Sequence, residues 1–173
     1  MPHPRDMKVR IHRVTFCGIL TAVMLILGFF ESLLPAGPVP GIKLGLSNSV
    51  LVLALYMLGI PTSFLLMILK VTLSGFMFGS ISAMMYAFAG GLLSMIAMSL
   101  LSRVKDIHVI VVSMVGGVMH NVGQVALAML ILKTPQLIYY MAVLMIAGLI
   151  CGALSGVCSD RVLRSLKKGH FKL

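Results

Sequence analysis

Lys70, His120, Asn121 and Gln124 are cationic or strongly polar side chains set in the middle of apolar stretches. Such groups are expensive inside a membrane, so each one needs a partner or a ligand. His120 and Gln124 are four residues apart and share a helix face, which Gly116 extends by one turn. Gly116, Gly117 and Gly123 thin the chain around this patch, so another helix or a ligand can approach closely. Glu31 stands near the end of an apolar run, beside a proline-rich segment. Asn48 opens the next run, with Ser47 before it as its expected helix cap. An ammonium, an imidazole and several amides suit a ligand with an anionic or carbonyl-rich end. The same residues could instead tie helices together, Lys70 to Glu31 and His120-Asn121 to backbone carbonyls. The sequence leaves both readings open.

Other chemistries lack their residues. The four acidic residues are Asp6, Glu31, Asp106 and Asp160, and no two are close enough to form an aspartate-rich magnesium-diphosphate motif. There is no glycine-rich phosphate loop, so no ATP hydrolysis is encoded. No Ser-His-Asp or Cys-His pairing emerges from the spacing. Cys17, Cys151 and Cys158 lie in or at the ends of apolar runs, without metal-ligand spacing, and their odd number argues against a disulfide framework. They read as small buried residues, and the 15 methionines as soft packing. No catalytic residue, metal site or cofactor is expected, and the chain reads as non-enzymatic.

The elements that must hold these side chains are membrane helices. Apolar residues make up 60% of the 173 and charged ones 10%, which leaves too little polar surface for a soluble domain. The net charge of +10 is concentrated in three places. Arg5, Lys8, Arg10 and Arg13 precede the first apolar run; Arg103 and Lys105 lie between two later runs; Arg161, Arg164, Lys167, Lys168 and Lys172 close the chain. Cytoplasmic ends of membrane helices collect Lys and Arg in this way. A nucleic-acid partner is not expected, because polar or aromatic readers do not interleave the basic clusters.

About 20 apolar residues span a bilayer. The first run, Val14 to Leu34, ends at the prolines 35, 38 and 40 and is too long for a cleavable signal peptide. Gly59-Ile-Pro61 and Gly79-Ser80 divide the long block from Leu44 to Leu101 into helices near 46–60, 62–78 and 82–102. A fifth run spans Val109 to Leu132 and a sixth Leu137 to about Val157. The expectation is one all-α membrane domain over residues 1–173, a six-helix bundle at 14–160 between basic cytoplasmic ends at 1–13 and 161–173. With both termini inside, every basic cluster falls on the cytoplasmic face, whereas five or seven spans would misplace one. The tail from Ser159 is expected on the inner membrane surface, near anionic lipid, or as a frayed helix end. Gly18 and Ala22 form a small-xxx-small pair on the first helix, suited to close helix contact.

Three segments carry a family resemblance: Glu31-Ser-Leu-Leu-Pro35 with Pro40-Gly-Ile-Lys-Leu-Gly-Leu-Ser-Asn48, Ala87-Phe-Ala-Gly-Gly-Leu-Leu-Ser94, and His120-Asn-Val-Gly-Gln124. The first and third are the more specific. From about residue 14 to 160 the chain resembles the bacterial Gx transporter family, also called heptaprenyl diphosphate synthase component I. That family in turn resembles the substrate-binding S components of energy-coupling factor transporters, six-helix proteins without an ATPase of their own. The resemblance implies a multi-pass protein of the bacterial cytoplasmic membrane. It also implies a membrane coupling subunit, docked at positions matching Gly18 and Ala22, and two cytoplasmic ATPases. A synthase activity would need paired carboxylates to hold magnesium, which this chain lacks.

The expected function is therefore a substrate-binding subunit for uptake of a small vitamin- or precursor-like molecule. His120, Asn121, Gln124, Lys70, Asn48 and Glu31 would hold its polar end, with residues 35–45 as an outer lid. The alternative is an accessory membrane protein of isoprenoid or quinone metabolism, including flavin- or quinone-linked electron export.

Overall fold

The computed structural model describes residues 4–33 and 46–168. The expected lid at 35–45 lies outside the described residues, as do the extreme termini. The elements are α1 (Pro4–Ser32), a 3₁₀ turn (Leu46–Asn48), α2 (Ser49–Leu58), α3 (Ile60–Phe78), α4 (Ile81–Leu101), α5 (Val109–Leu132) and α6 (Leu137–Lys168). No strand occurs among the described residues.

The breaks fall where local chemistry forces them. Gly59 has φ +83°, a left-handed backbone that side chains disfavour, and it turns α2 into α3 in a single residue. Pro61 follows in the first turn of α3, where its missing N–H costs nothing. Ser80 is extended, and its Oγ accepts from Ala83 N at 3.1 Å, capping α4. Lys133 leaves α5 in the left-handed conformation and Pro135 prevents continuation.

Exposure is inverted relative to a soluble protein. Phe76, Leu130 and Tyr139 are 75–80% exposed, whereas Glu31, Asn121 and Gln124 are at most 1% exposed. Among the described residues, five helices are long and apolar enough to cross a membrane: Ile11–Ser32 of α1, α3, α4, α5 and Leu137–Leu166 of α6. The shortest, α3, has 19 residues and a length of about 28 Å, close to the hydrocarbon thickness of about 30 Å.

α2 departs from the expected span over 46–60. Its ten residues reach only about 15 Å, half of that thickness. One face of it packs into the protein instead, with Leu51, Val52, Ala54 and Leu55 buried against α1, α3 and α6. The expected cap is also different. Asn48 occupies the cap position without a side-chain cap bond, and Ser47 turns to Glu31 instead. At the other end, α6 continues as one helix to Lys168, beyond the expected end near Val157.

α5 is the central strut. It packs along α4 on one side and α6 on the other. Gly90 and Gly123 make the α4–α5 crossing possible: a Cβ on Gly90 would lie 2.5 Å from the His120 carbonyl oxygen, and one on Gly123 would lie 2.7 Å from that of Ala89.

Candidate functional site

A buried polar cluster forms where α1, the 3₁₀ turn, α3 and α5 meet. Lys70 Nζ donates to Asn48 Oδ1 at 2.8 Å, with both residues buried. Ser47 Oγ donates to a Glu31 carboxylate oxygen at 3.4 Å. Glu31, Ser47, Lys70, Ser74 and His120 surround one cavity, with Gly28 and Ala87 completing its wall. At about 10 Å³ it has room for about one water molecule. His120 is 2% exposed, and its Nδ1 has no protein partner among the described residues. One carboxylate, one ammonium, one imidazole and two hydroxyls thus converge from separate segments of the chain.

The structure divides the candidates named from sequence. Glu31, Asn48, Lys70 and His120 come together. Asn121 points elsewhere: its Nδ2 donates to the Leu144 carbonyl of α6 at 2.6 Å, the helix-tying role foreseen as the alternative. Gln124 is fully buried and packs its Cγ against Gly90 of α4. Neighbouring positions on a helix are about 100° apart, which is why His120 and Asn121 serve different neighbours.

Ser74 was not singled out in the sequence, although it follows Lys70 by four residues and so shares its face. Ser94 was quoted only within a motif. It is fully buried, its hydroxyl has no partner among the described residues, and it lines a second small cavity with Asn48. On α1, Gly18 and Ala22 are exposed, and Gly18 has open space around it.

An all-helical fold with an apolar exterior, five helices of spanning length and a buried ionic cluster defines a multi-pass membrane protein. Residues 20–162 match the family described as heptaprenyl diphosphate synthase component I, and the chain belongs to that family. No curated protein and no solved structure matches it.

Proposed function

We propose that this chain is a substrate-binding membrane subunit, similar to the S component of an energy-coupling factor transporter. It sits in the cytoplasmic membrane of a bacterium and binds a small vitamin- or precursor-like molecule. The observation that carries this reading is the convergence of Glu31, Lys70 and His120 from three helices on one cavity. Three such groups are costly to bury together, and recognition of a polar ligand gives them a purpose. The helices must part there to admit the ligand, since sites for small molecules run to roughly 300–1,000 Å³.

In this reading all six helices cross, with both termini inside. α2 and the turn before it make the sixth crossing, sheltered within the bundle. Every basic cluster then lies on the cytoplasmic face. The exposed Gly18–Ala22 face of α1 is the docking surface for a membrane coupling subunit, which cytoplasmic ATPases drive. The chain itself carries no catalytic role.

The family description favours a second reading, because it names a component of a prenyl diphosphate synthase. As such, the chain would serve a catalytic partner in isoprenoid or quinone metabolism. Affinity purification from native membranes, with mass spectrometry of bound proteins and ligands, tests both. Co-purified ATPases and a coupling subunit support the first. A soluble prenyl synthase without them overturns it in favour of the second.

A further inference from the structure

The side of the bundle is open between α1 and α6. These helices scarcely touch, and α2 lies between them. The gap is an apolar groove of about 370 Å³, walled by Val23 and Leu27 of α1, Val50 and Leu53 of α2, and Leu154 and Val162 of α6. That volume lies within the range of small-molecule sites. Further in, between the 3₁₀ turn, α2, α4, α5 and α6, is a cavity of about 10 Å³ whose wall mixes Asn48, Ser94, Ser113 and Ser155 with Val52 and Met98. Cys151 and Ser155 belong to the walls of both spaces. An apolar trough on the side of the bundle therefore shares a wall with a small chamber that has room for about one oxygen-sized group.

The chamber contains unmet hydrogen-bonding capacity. An ammonium can only donate, so the Lys70 contact fixes the Asn48 amide with Oδ1 toward Lys70 and Nδ2 turned from it. Asn48 Nδ2 has no partner among the described residues, and neither has Ser94 Oγ. These residues are 4% and 0% exposed. Buried polar atoms of this kind ordinarily find partners. No charged side chain lines the chamber. A phosphate or diphosphate head would exceed it in size and meet no countercharge there.

We propose that groove and chamber form one lateral binding site for a long-chain alcohol. The hydrocarbon chain lies along the α1–α6 groove. The hydroxyl oxygen accepts from Asn48 Nδ2, and its proton is donated to Ser94 Oγ. The ligand enters sideways from the lipid, on the opposite side of Asn48 from the Lys70 ammonium. This site does not depend on the transport reading, because it requires no partner subunit.

The test uses the full chain in phosphatidylcholine nanodiscs and a long-chain alkyl alcohol carrying a mid-chain diazirine. Saturable photolabelling on the groove residues of α1, α2 and α6, displaced by unlabelled alcohol, is expected. Ser94→Ala should raise the half-saturating concentration about five-fold, the worth of one net hydrogen bond. A phosphatidylcholine carrying the same diazirine should label exposed Phe76 and Leu130 at least as strongly as the groove. The proposal is overturned if the alcohol labels those positions and the groove alike without saturating. It is also overturned if phosphatidylcholine competes as well as the alcohol, or if Ser94→Ala leaves the half-saturation unchanged.

Discussion

Lys70 Nζ and Asn48 Oδ1 meet at 2.8 Å and join the middle of α3 to the turn that opens α2. A buried ammonium needs such an acceptor, and α2 is too short to be held by the membrane itself. The contact therefore positions both the cavity and α2. Asn48→Ala is expected to lower stability by about 1.5–3 kcal/mol, the range for a hydrogen bond to a charged group. Asn48→Asp should retain most of the stability, because a carboxylate can accept from the same ammonium. Thermal unfolding in detergent, followed by a thiol-reactive dye on the half-buried Cys17 and Cys151, measures both. Equal losses in the two variants would show that this contact does not hold α2.

The breaks between helices were legible in the sequence because single residues set them, whereas α1 starts at Pro4, before the expected Val14, and α6 runs past Val157 to Lys168. Gly59-Ile-Pro61, Gly79-Ser80 and Lys133-Thr-Pro135 each interrupt the helix within two residues of the expected place. The short α2 was not legible, since an apolar segment reads alike whether lipid or protein covers it. Residues 46–58 carry no mark of that difference. Within the site, helical spacing joins Lys70 to Ser74 and separates His120 from Asn121. No spacing rule joins Glu31, Lys70 and His120, which lie 39 and 50 residues apart and meet only through packing of α1, α3 and α5. The lateral groove has the same origin: it depends on α1 and α6 failing to meet.

The proposed orientation, with both termini inside, predicts which ends an impermeant thiol reagent reaches. In a variant with all three native cysteines replaced, cysteine at Gln136 should label in intact cells and cysteine at Lys105 should not. Both positions are exposed, so accessibility within the protein does not limit either one. Labelling at Lys105 without permeabilisation would invert the topology.

Two glycines should respond in opposite ways. Gly90→Ala would place a methyl group 2.5 Å from the His120 carbonyl oxygen and 2.8 Å from Gln124 Cγ. α4 and α5 would have to separate, at an expected cost of about 1–3 kcal/mol. A Cβ on Gly18 would meet nothing within 4 Å and the position is exposed, so Gly18→Leu should leave thermal stability within about 0.5 kcal/mol of the parent. If α1 docks a coupling subunit through this face, Gly18→Leu should nevertheless reduce co-purification of that subunit. A stable Gly18→Leu protein that retains its partner would remove this surface from the docking model.

His120 and Asn121 provide the sharpest test of the site, because they are adjacent in sequence and differently engaged. Asn121 Nδ2 spends its hydrogen bond on the Leu144 carbonyl of α6. Asn121→Ala removes that bond and leaves a buried carbonyl without this donor, so a stability loss of about 1–3 kcal/mol is expected. Its effect on ligand affinity should be small, since the side chain is turned toward α6. His120 Nδ1 has no protein partner among the described residues, and the ring borders the cavity with Glu31 and Lys70. His120→Ala gives up the ring's hydrogen bond with the Gly90 backbone and leaves a small void, so some stability is lost with it. The substitution also removes a group that a bound polar ligand would satisfy, and a ten-fold loss of affinity corresponds to about 1.4 kcal/mol. The expected result is a split: Asn121→Ala lowers the melting temperature with affinity retained, and His120→Ala weakens binding about ten-fold in addition to a moderate loss in melting temperature. Calorimetric titration and thermal unfolding on the same preparations measure the two axes, with the ligand first identified by mass spectrometry of the purified protein. If His120→Ala lowers stability and leaves affinity intact, the imidazole is a tie between α4 and α5, and the Glu31–Lys70–His120 cavity is not where the ligand binds.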